Sequence, residues 1–232
     1  MSRPRRADHA QPDHAQTLME VFRRLERHYG PTHWWPGETP FEIAVGAVLT
    51  QNTAWTNVER AIANLKQRNW LDPSAILGAP DDELHEALRP SGYFRIKAKR
   101  LRSFCTWLLR EFGGSMEWMA KQPLEELRPR LLEVNGIGPE TADDILLYAC
   151  EKPVFVVDAY TRRIWSRHGW VEGDVKYEPL RAYFEDSLAA DIGLFKEYHG
   201  LIVFTGKDHC RRRPRCEGCP LKPMLPPEGP LE

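Results

Sequence analysis

The sequence has no uninterrupted apolar run approaching the roughly 18 residues that cross a bilayer, so no transmembrane helix is expected. Its start, Met1 to Gln16, is basic and polar, without the apolar stretch of a secretory signal, and the expected location is the cytoplasm. Cysteine is scarce, five in 232 residues. In an intracellular chain that argues against a disulfide framework. Strand-like sequence is confined to Val154-Phe155-Val156-Val157, too short to make a sheet, and is expected as a buried extended crossover. Net charge is nearly absent at −1. A protein that holds nucleic acid by bulk charge is thereby disfavoured, while a local basic face remains open, because phosphate contacts depend on where charges lie.

What is present reads as globular and helical. Hydrophobic residues make up 42% and charged residues 28%, and the length suits one large domain or two small ones. Leu18, Val21, Phe22, Leu25 and Tyr29 recur at helical spacing before Gly30-Pro31. Thr39 and Pro40 supply an N-cap and a first-turn proline for a helix through Leu49. Val58, Ile62 and Leu65 carry the next, and a long helix runs from about Phe94 to Phe112, closed by Gly113-Gly114. Helices are also expected over Leu124 to Val134, after Gly138, and over 160–168, 180–188 and 193–207, giving an all-α chain. The proline-rich tail from Pro223 is expected to be loose. Basic clusters (Lys97, Lys99, Arg100, Arg102; Arg162, Arg163, Arg167; Arg211, Arg212, Arg213, Arg215) are each, taken singly, solvated faces.

The informative stretch is Leu132-Glu133-Val134-Asn135-Gly136-Ile137-Gly138-Pro139-Glu140-Thr141-Ala142. One helix ends and another begins within about four residues, where Gly136 and Gly138 permit positive φ and Pro139 suits a first helical position. Backbone N–H groups exposed at such a turn bind phosphate without reading sequence. The plain alternative is an ordinary αα-hairpin. Twenty residues after Gly138, Val156-Val157-Asp158-Ala159-Tyr160-Thr161-Arg162-Arg163 puts an aspartate directly after the buried apolar run, at the head of a helix. Its plain alternative is a simple N-cap.

Together, and with Leu49-Thr50-Gln51-Asn52-Thr53 upstream and a cysteine cluster downstream, these elements resemble the helix-hairpin-helix DNA glycosylases of the endonuclease III-like group over nearly the whole chain. The resemblance implies two helical domains flanking a DNA-binding cleft. Residues 40–153 would form a six-helix barrel with the hairpin, and 1–39 with 154–232 a terminal domain carrying the Cys loop. It implies Asp158 as the catalytic carboxylate, and Asn135, Gly136, Ile137, Gly138, Thr141, Arg162, Arg211 and Arg213 as DNA-binding residues on double-stranded DNA containing a damaged base. A monomer would suffice.

Breaking an N-glycosidic bond places positive charge on the sugar of a flipped nucleotide. A carboxylate in a cleft with little water stabilises that charge and orients the attacking water. One departure from the family matters here. Where bifunctional members carry Gly-Val-Gly-x-Lys-Thr-Ala, with the lysine forming a Schiff base, this chain has Glu140. A carboxylate cannot form that adduct, and a monofunctional enzyme using water is expected.

Trp34-Trp35-Pro36, Gln51, and Trp55 shortly after Gln51-Asn52-Thr53, make a candidate substrate pocket, with Lys207 a further member. Packing in the core or between domains is the plain alternative for these tryptophans. With the lysine gone, they resemble the 3-methyladenine DNA glycosylase branch, in which aromatics sandwich the flipped base. A cationic alkylated purine suits electron-rich faces. Adenine removal from mismatches is a second reading, disfavoured because Ala47 stands where such enzymes place a glutamate. Removal of oxidised pyrimidines is a third, and DNA binding without chemistry a fourth, in which Asp158 would be superfluous.

Cys210-x5-Cys216-x2-Cys219 has metal-like spacing in a basic loop. It resembles the family's [4Fe-4S] loop, which has four thiolates; the fourth position is Leu225. Three outcomes stay open: a cluster with another ligand, His209 being at hand; a zinc ion; or a metal-free loop.

Overall fold

The computed structural model describes residues 14–32 and 34–231; the basic segment Met1 to Asp13 and His33 lie outside the described residues. Among the described residues the chain is all-helical, without strands. Helix α1 (His14–Tyr29) buries Leu18, Val21 and Leu25 against α12 (Ile192–Asp208). Helix α2 (Pro40–Leu49) opens as expected, with Thr39 Oγ1 accepting from the Glu42 N–H at 3.1 Å and Pro40 in the first turn. Nearly all its residues are buried, so it forms the middle of the core. Against it pack α3 (Trp55–Gln67), α6 (Phe94–Phe112) and α7 (Met116–Ala120), while α4 (Pro73–Gly78) packs on α6 and α5 (Asp81–Leu88) on α6 and α3. Gly113, at φ 58°, ends α6 by accepting the left-handed conformation.

Helices α8 (Leu124–Leu132) and α9 (Pro139–Asp144) make the hairpin, and α9 continues as a π-helical turn, Ile145–Ala149. Arg128 on α8 pairs with the fully buried Asp143 on α9, at 2.7 and 3.0 Å, and with Glu178 on α11 (Tyr177–Glu185) at 2.7 Å. Tyr177 donates its hydroxyl to the same Asp143 at 2.8 Å. One ionic knot therefore joins three helices.

Residues 154–157 cross the core extended and unpaired with any strand, each at most 1% exposed. Their backbone polar groups still need partners, and α11 supplies two of them. The Phe155 N–H donates to Glu185 Oε1 at 2.8 Å, and the Val157 N–H to the Tyr177 hydroxyl at 3.4 Å. Phe155 stacks on Phe184 at 3.8 Å between centroids, with Phe195 and Tyr198 edge-on. The crossover delivers Asp158 from the core to the head of α10 (Ala159–Arg167).

The tail departs from expectation. Leu221 is fully buried, Lys222–Met224 forms a 3-10 turn, and the Leu231 N–H donates to Arg167 O at 2.9 Å. The prolines stiffen a segment that is tied to α10, so it is docked and not loose.

Candidate active site and DNA-facing hairpin

Asp158 caps α10, but with one oxygen only. Oδ1 accepts from the Thr161 N–H at 2.7 Å and from its hydroxyl at 2.8 Å, while the Asp158 N–H reaches Thr161 Oγ1 at 3.4 Å. This reciprocal capping box anchors Oδ1. Oδ2 accepts no hydrogen bond and lies 3.9 Å from Nε2 of His199 on α12. A plain N-cap would need no more than Oδ1; the second oxygen is available for chemistry.

His199 is buried at 3% exposure. Its Nδ1 lies 2.7 Å from the Tyr148 hydroxyl, and its Nε2 has no hydrogen-bond partner. Burial holds the imidazole pKa below its usual value, with Asp158 pulling the other way. Burial likewise pushes the Asp144 carboxyl and the Tyr148 hydroxyl well up, reinforced by neighbouring carboxylates. Glu140 stands at the solvent edge of α9, yet desolvation by the groups packed around it, then the Asp158 charge, pushes it up to about 7, with Arg162 opposing. Neither His199 nor Tyr148 was legible beforehand: the one signal was a lone histidine beside the apolar run Leu201-Ile202-Val203.

Trp34, Trp35 and Trp55 do come together. Trp35 meets Trp55 at 5.0 Å and Tyr148 at 5.0 Å, and Trp34 meets Trp55 at 6.1 Å and Phe204 at 5.9 Å. The linker bearing Trp34 lies directly on α12: a Cβ at Gly200 would sit 2.7 Å from that of Trp34. Thr32 fastens it by donating its N–H to Glu197 at 2.6 Å. Interplanar angles within the tryptophan trio run from 52° to 74°. A sandwiched base needs two roughly parallel faces about 7 Å apart, twice the van der Waals contact distance. Among the described residues no two of the three tryptophan rings are parallel to each other. Lys207 lies with Nζ 4.8 Å from the Trp34 ring centre; burial lowers its pKa, opposed by Asp158. Pro36 is exposed at the margin. On α2, Gly46 faces Trp35 and Trp55, and neither it nor the buried Ala47 carries a carboxylate.

The Gln51 amide turns to the hairpin. Its Nε2 donates to Gly136 O at 3.1 Å and Thr141 Oγ1 at 2.8 Å, and its Oε1 accepts from Arg100. It bolts the end of α2 to the hairpin. There Gly136 takes φ 90°, and a Cβ on it would overlap the Arg100 side chain. Gly138 does not use positive φ: it is extended, at φ −94°, with open space where a Cβ would point. Ile137 is buried and anchors the turn, and Asn135 is exposed. The N–H groups of Gly136 and Gly138 donate to no acceptor among the described residues, which suits a phosphate.

The basic residues divide by role. Arg163 donates to Cys210 O at 2.6 Å, and Arg167 to Arg211 O at 2.6 Å and Arg212 O at 2.9 Å. Both are absorbed in holding the Cys loop. Arg211 and Arg213 are exposed, and Arg162 is half-buried beside Glu140.

Cys210, Cys216 and Cys219 line one small apolar cavity with Ile164, His168, Leu225 and Pro230. Arg167 lies 3.4 Å from Cys210 Sγ, and His209 Nδ1 points to Arg215 O at 3.1 Å. Among the described residues no group of three or more His, Cys, Asp or Glu side chains is placed to hold a metal ion. With an isobutyl group at the fourth position, the loop does not fit a four-thiolate cluster.

Residues 45–190, well over half the chain, match the profile of the HhH-GPD superfamily of base excision DNA repair proteins. The chain is 44% identical over 209 residues to the Methanocaldococcus jannaschii protein named "Putative DNA repair glycosylase MJ1434", spanning 89% of this chain and 94% of that one. It is 30% identical over 204 residues to endonuclease III of Thermotoga maritima, covering 88% and 87%. Its fold superposes on the Helicobacter pylori 3-methyladenine DNA glycosylase bound to 1,N6-ethenoadenine, with TM-score 0.69, 30% identity and coverage of 84% and 97%. An endonuclease III–DNA complex matches in fold at TM-score 0.78 and 21% identity, covering 91% and 94%.

Proposed function

The chain belongs to the HhH-GPD superfamily of base excision DNA repair proteins, and from that premise we propose that it is a monofunctional DNA glycosylase acting on an alkylated purine such as 3-methyladenine. The observation that carries this reading is the pair Asp158 and Glu140: a carboxylate with one oxygen fixed and one free, and a second acid where a Schiff-base lysine would stand.

The duplex is held from the hairpin, whose free N–H groups at Gly136 and Gly138 take a phosphate. We take the cleft to lie between residues 40–153 on one side and the described parts of the terminal segments, within 14–39 and 154–231, on the other. The target nucleotide is flipped into it at a cost of a few kcal/mol. Its base stacks on an outward face of the tryptophan cluster, and a cationic purine gains ~2 kcal/mol or more there when desolvated. As the N-glycosidic bond lengthens, positive charge grows on the sugar and Asp158 Oδ2 faces it. The base leaves neutral, so little acid catalysis is needed. Water adds to the sugar, with Asp158 accepting its proton. The strand stays intact because Glu140 cannot form an imine.

A panel of duplexes carrying alkylated, oxidised and mismatched bases tests the substrate. The methylated duplex should release free purine and leave an unbroken abasic strand. Asp158→Asn should bind that duplex as the parent does while losing at least 100-fold in base release, the scale of a lost electrostatic stabiliser. Borohydride treatment should trap no covalent complex. A trapped adduct, or strand cleavage at the abasic site, refutes the monofunctional assignment.

A further inference from the structure

We propose that His199 is a positioning residue for the reaction, with Tyr148 setting its tautomer and its Nε2–H steering Asp158 Oδ2 towards the sugar. The inference rests on the reading of Asp158 as the catalytic carboxylate.

Three observations carry it. His199 is buried, one ring nitrogen is 2.7 Å from a tyrosine hydroxyl, and the other is unpartnered and 3.9 Å from the free carboxylate oxygen. A buried polar nitrogen without a partner is costly and calls for an explanation. The groups facing the ring are Asp158 from the head of α10 and the Tyr148 hydroxyl from the π-helical turn, with Asp144 of α9 and Glu197 of α12 acting in turn on Tyr148. If Nε2 lacked its proton, a lone pair would face a carboxylate in a dry site. With the Tyr148 hydroxyl donating to Nδ1, Nε2 carries the proton and attraction replaces repulsion. The Tyr148 hydroxyl has a poorer acceptor in Lys196 O at 3.4 Å, so donation to Nδ1 is the better-formed choice.

The gap of 3.9 Å is too long for a hydrogen bond. A turn of the Asp158 carboxylate, pivoting on the Oδ1 anchor, brings Oδ2 into range. Catalytic hydrogen bonds are commonly loose without substrate and tighten in the complex. Thr161 then fixes one oxygen and His199 the other. The carboxylate meets the growing sugar charge in one orientation, and no proton has to move through the histidine.

Single-turnover base release from dimethyl-sulfate-treated duplex tests this, alongside binding to the same duplex. His199→Phe keeps the volume and removes the donor. It should slow release about 10- to 100-fold, the worth of a hydrogen bond to a charged group, with affinity within about twofold. His199→Gln sets an amide N–H near the Nε2 position and should recover most of the rate; a merely structural histidine would not be rescued this way. Should the Phe variant fail to fold, Tyr148→Phe, which removes one oxygen, must show the same split between rate and affinity. A readout independent of turnover is nitrogen NMR of histidine-labelled protein. At neutral pH His199 should be the neutral Nε2–H tautomer, and its shift should respond to Asp158→Asn. An Nδ1–H tautomer, a Phe variant at parental rate, or a Gln variant no better than Phe overturns the proposal. A parent protein that releases no base overturns the functional reading instead, and the NMR result still decides the tautomer.

Discussion

Replacing Gly136 by alanine strikes the hairpin in two separable ways. At φ 90° an L-residue pays roughly 1–2 kcal/mol of backbone strain. The added Cβ would also overlap Arg100 Cγ and lie 2.8 Å from its Cδ. Arg100 must swing away, and its hydrogen bond to Gln51 goes with it, about 1 kcal/mol more. Gln51 is what ties α2 to Gly136 O and Thr141, so the turn loosens as it strains. The sum is about 2–3 kcal/mol. At roughly 2–4 °C per kcal/mol for a chain of this size, the melting temperature should fall by about 4–12 °C. Affinity for an abasic-site duplex should fall too, because the Gly136 and Gly138 N–H groups no longer converge. Urea unfolding of Gly136→Ala in the parental and Arg100→Ala backgrounds separates the two parts. With Arg100 truncated, only the backbone strain remains, so the second cost should be the smaller. An equal cost in both backgrounds, or a parental melting temperature for Gly136→Ala, refutes the reasoning.

Asp143→Ala leaves the Arg128 guanidinium, on a side chain 14% exposed, with Glu178 alone; a broken buried pair costs about 3–5 kcal/mol, read by urea denaturation. Glu140 has a folded pKa raised to about 7 from 4.5, so the folded state holds its proton longer than the unfolded chain and stability falls as pH rises through that window. Glu140→Gln should remove this slope and melt higher than the parent above pH 7, the gain being modest because the side chain is open to solvent; an unchanged profile refutes it. Arg211→Ala and Arg213→Ala should each lower the salt slope of duplex binding by about 0.9, without altering which base is released. Because Leu225 leaves the Cys loop without a fourth thiol, purified protein should lack the broad absorption near 400 nm of a [4Fe-4S] cluster, and chelation should leave its melting temperature unchanged.

The helices were legible because their signals are local. Thr39-Pro40 and Gly113-Gly114 act within a turn of themselves, and both ends lie where the spacing predicts. The capping aspartate after a buried run was legible for the same reason. The contacts of Gln51 with the hairpin were not legible because its partners stand 85 and 90 residues away, and nothing in its neighbourhood says which way an amide turns. His199 escaped notice because its meaning is relational: only the fold sets it between Tyr148 and Asp158. The tail misled because proline-rich composition reports stiffness, while docking depends on Leu221 and Leu231 finding partners.

The crossover at 154–157 also acts as a ruler. Its side chains alternate, with backbone donors at Phe155 and Val157 claimed by α11. Adding or deleting one residue there would turn Phe155 out of its stack and rotate Asp158 to the far side of the chain. The connection after α10 faces no such demand. Evolutionary length changes should therefore collect around residues 169–176, while the twenty-residue interval between Gly138 and Asp158 stays fixed, like the gap between a clamp and the blade it serves.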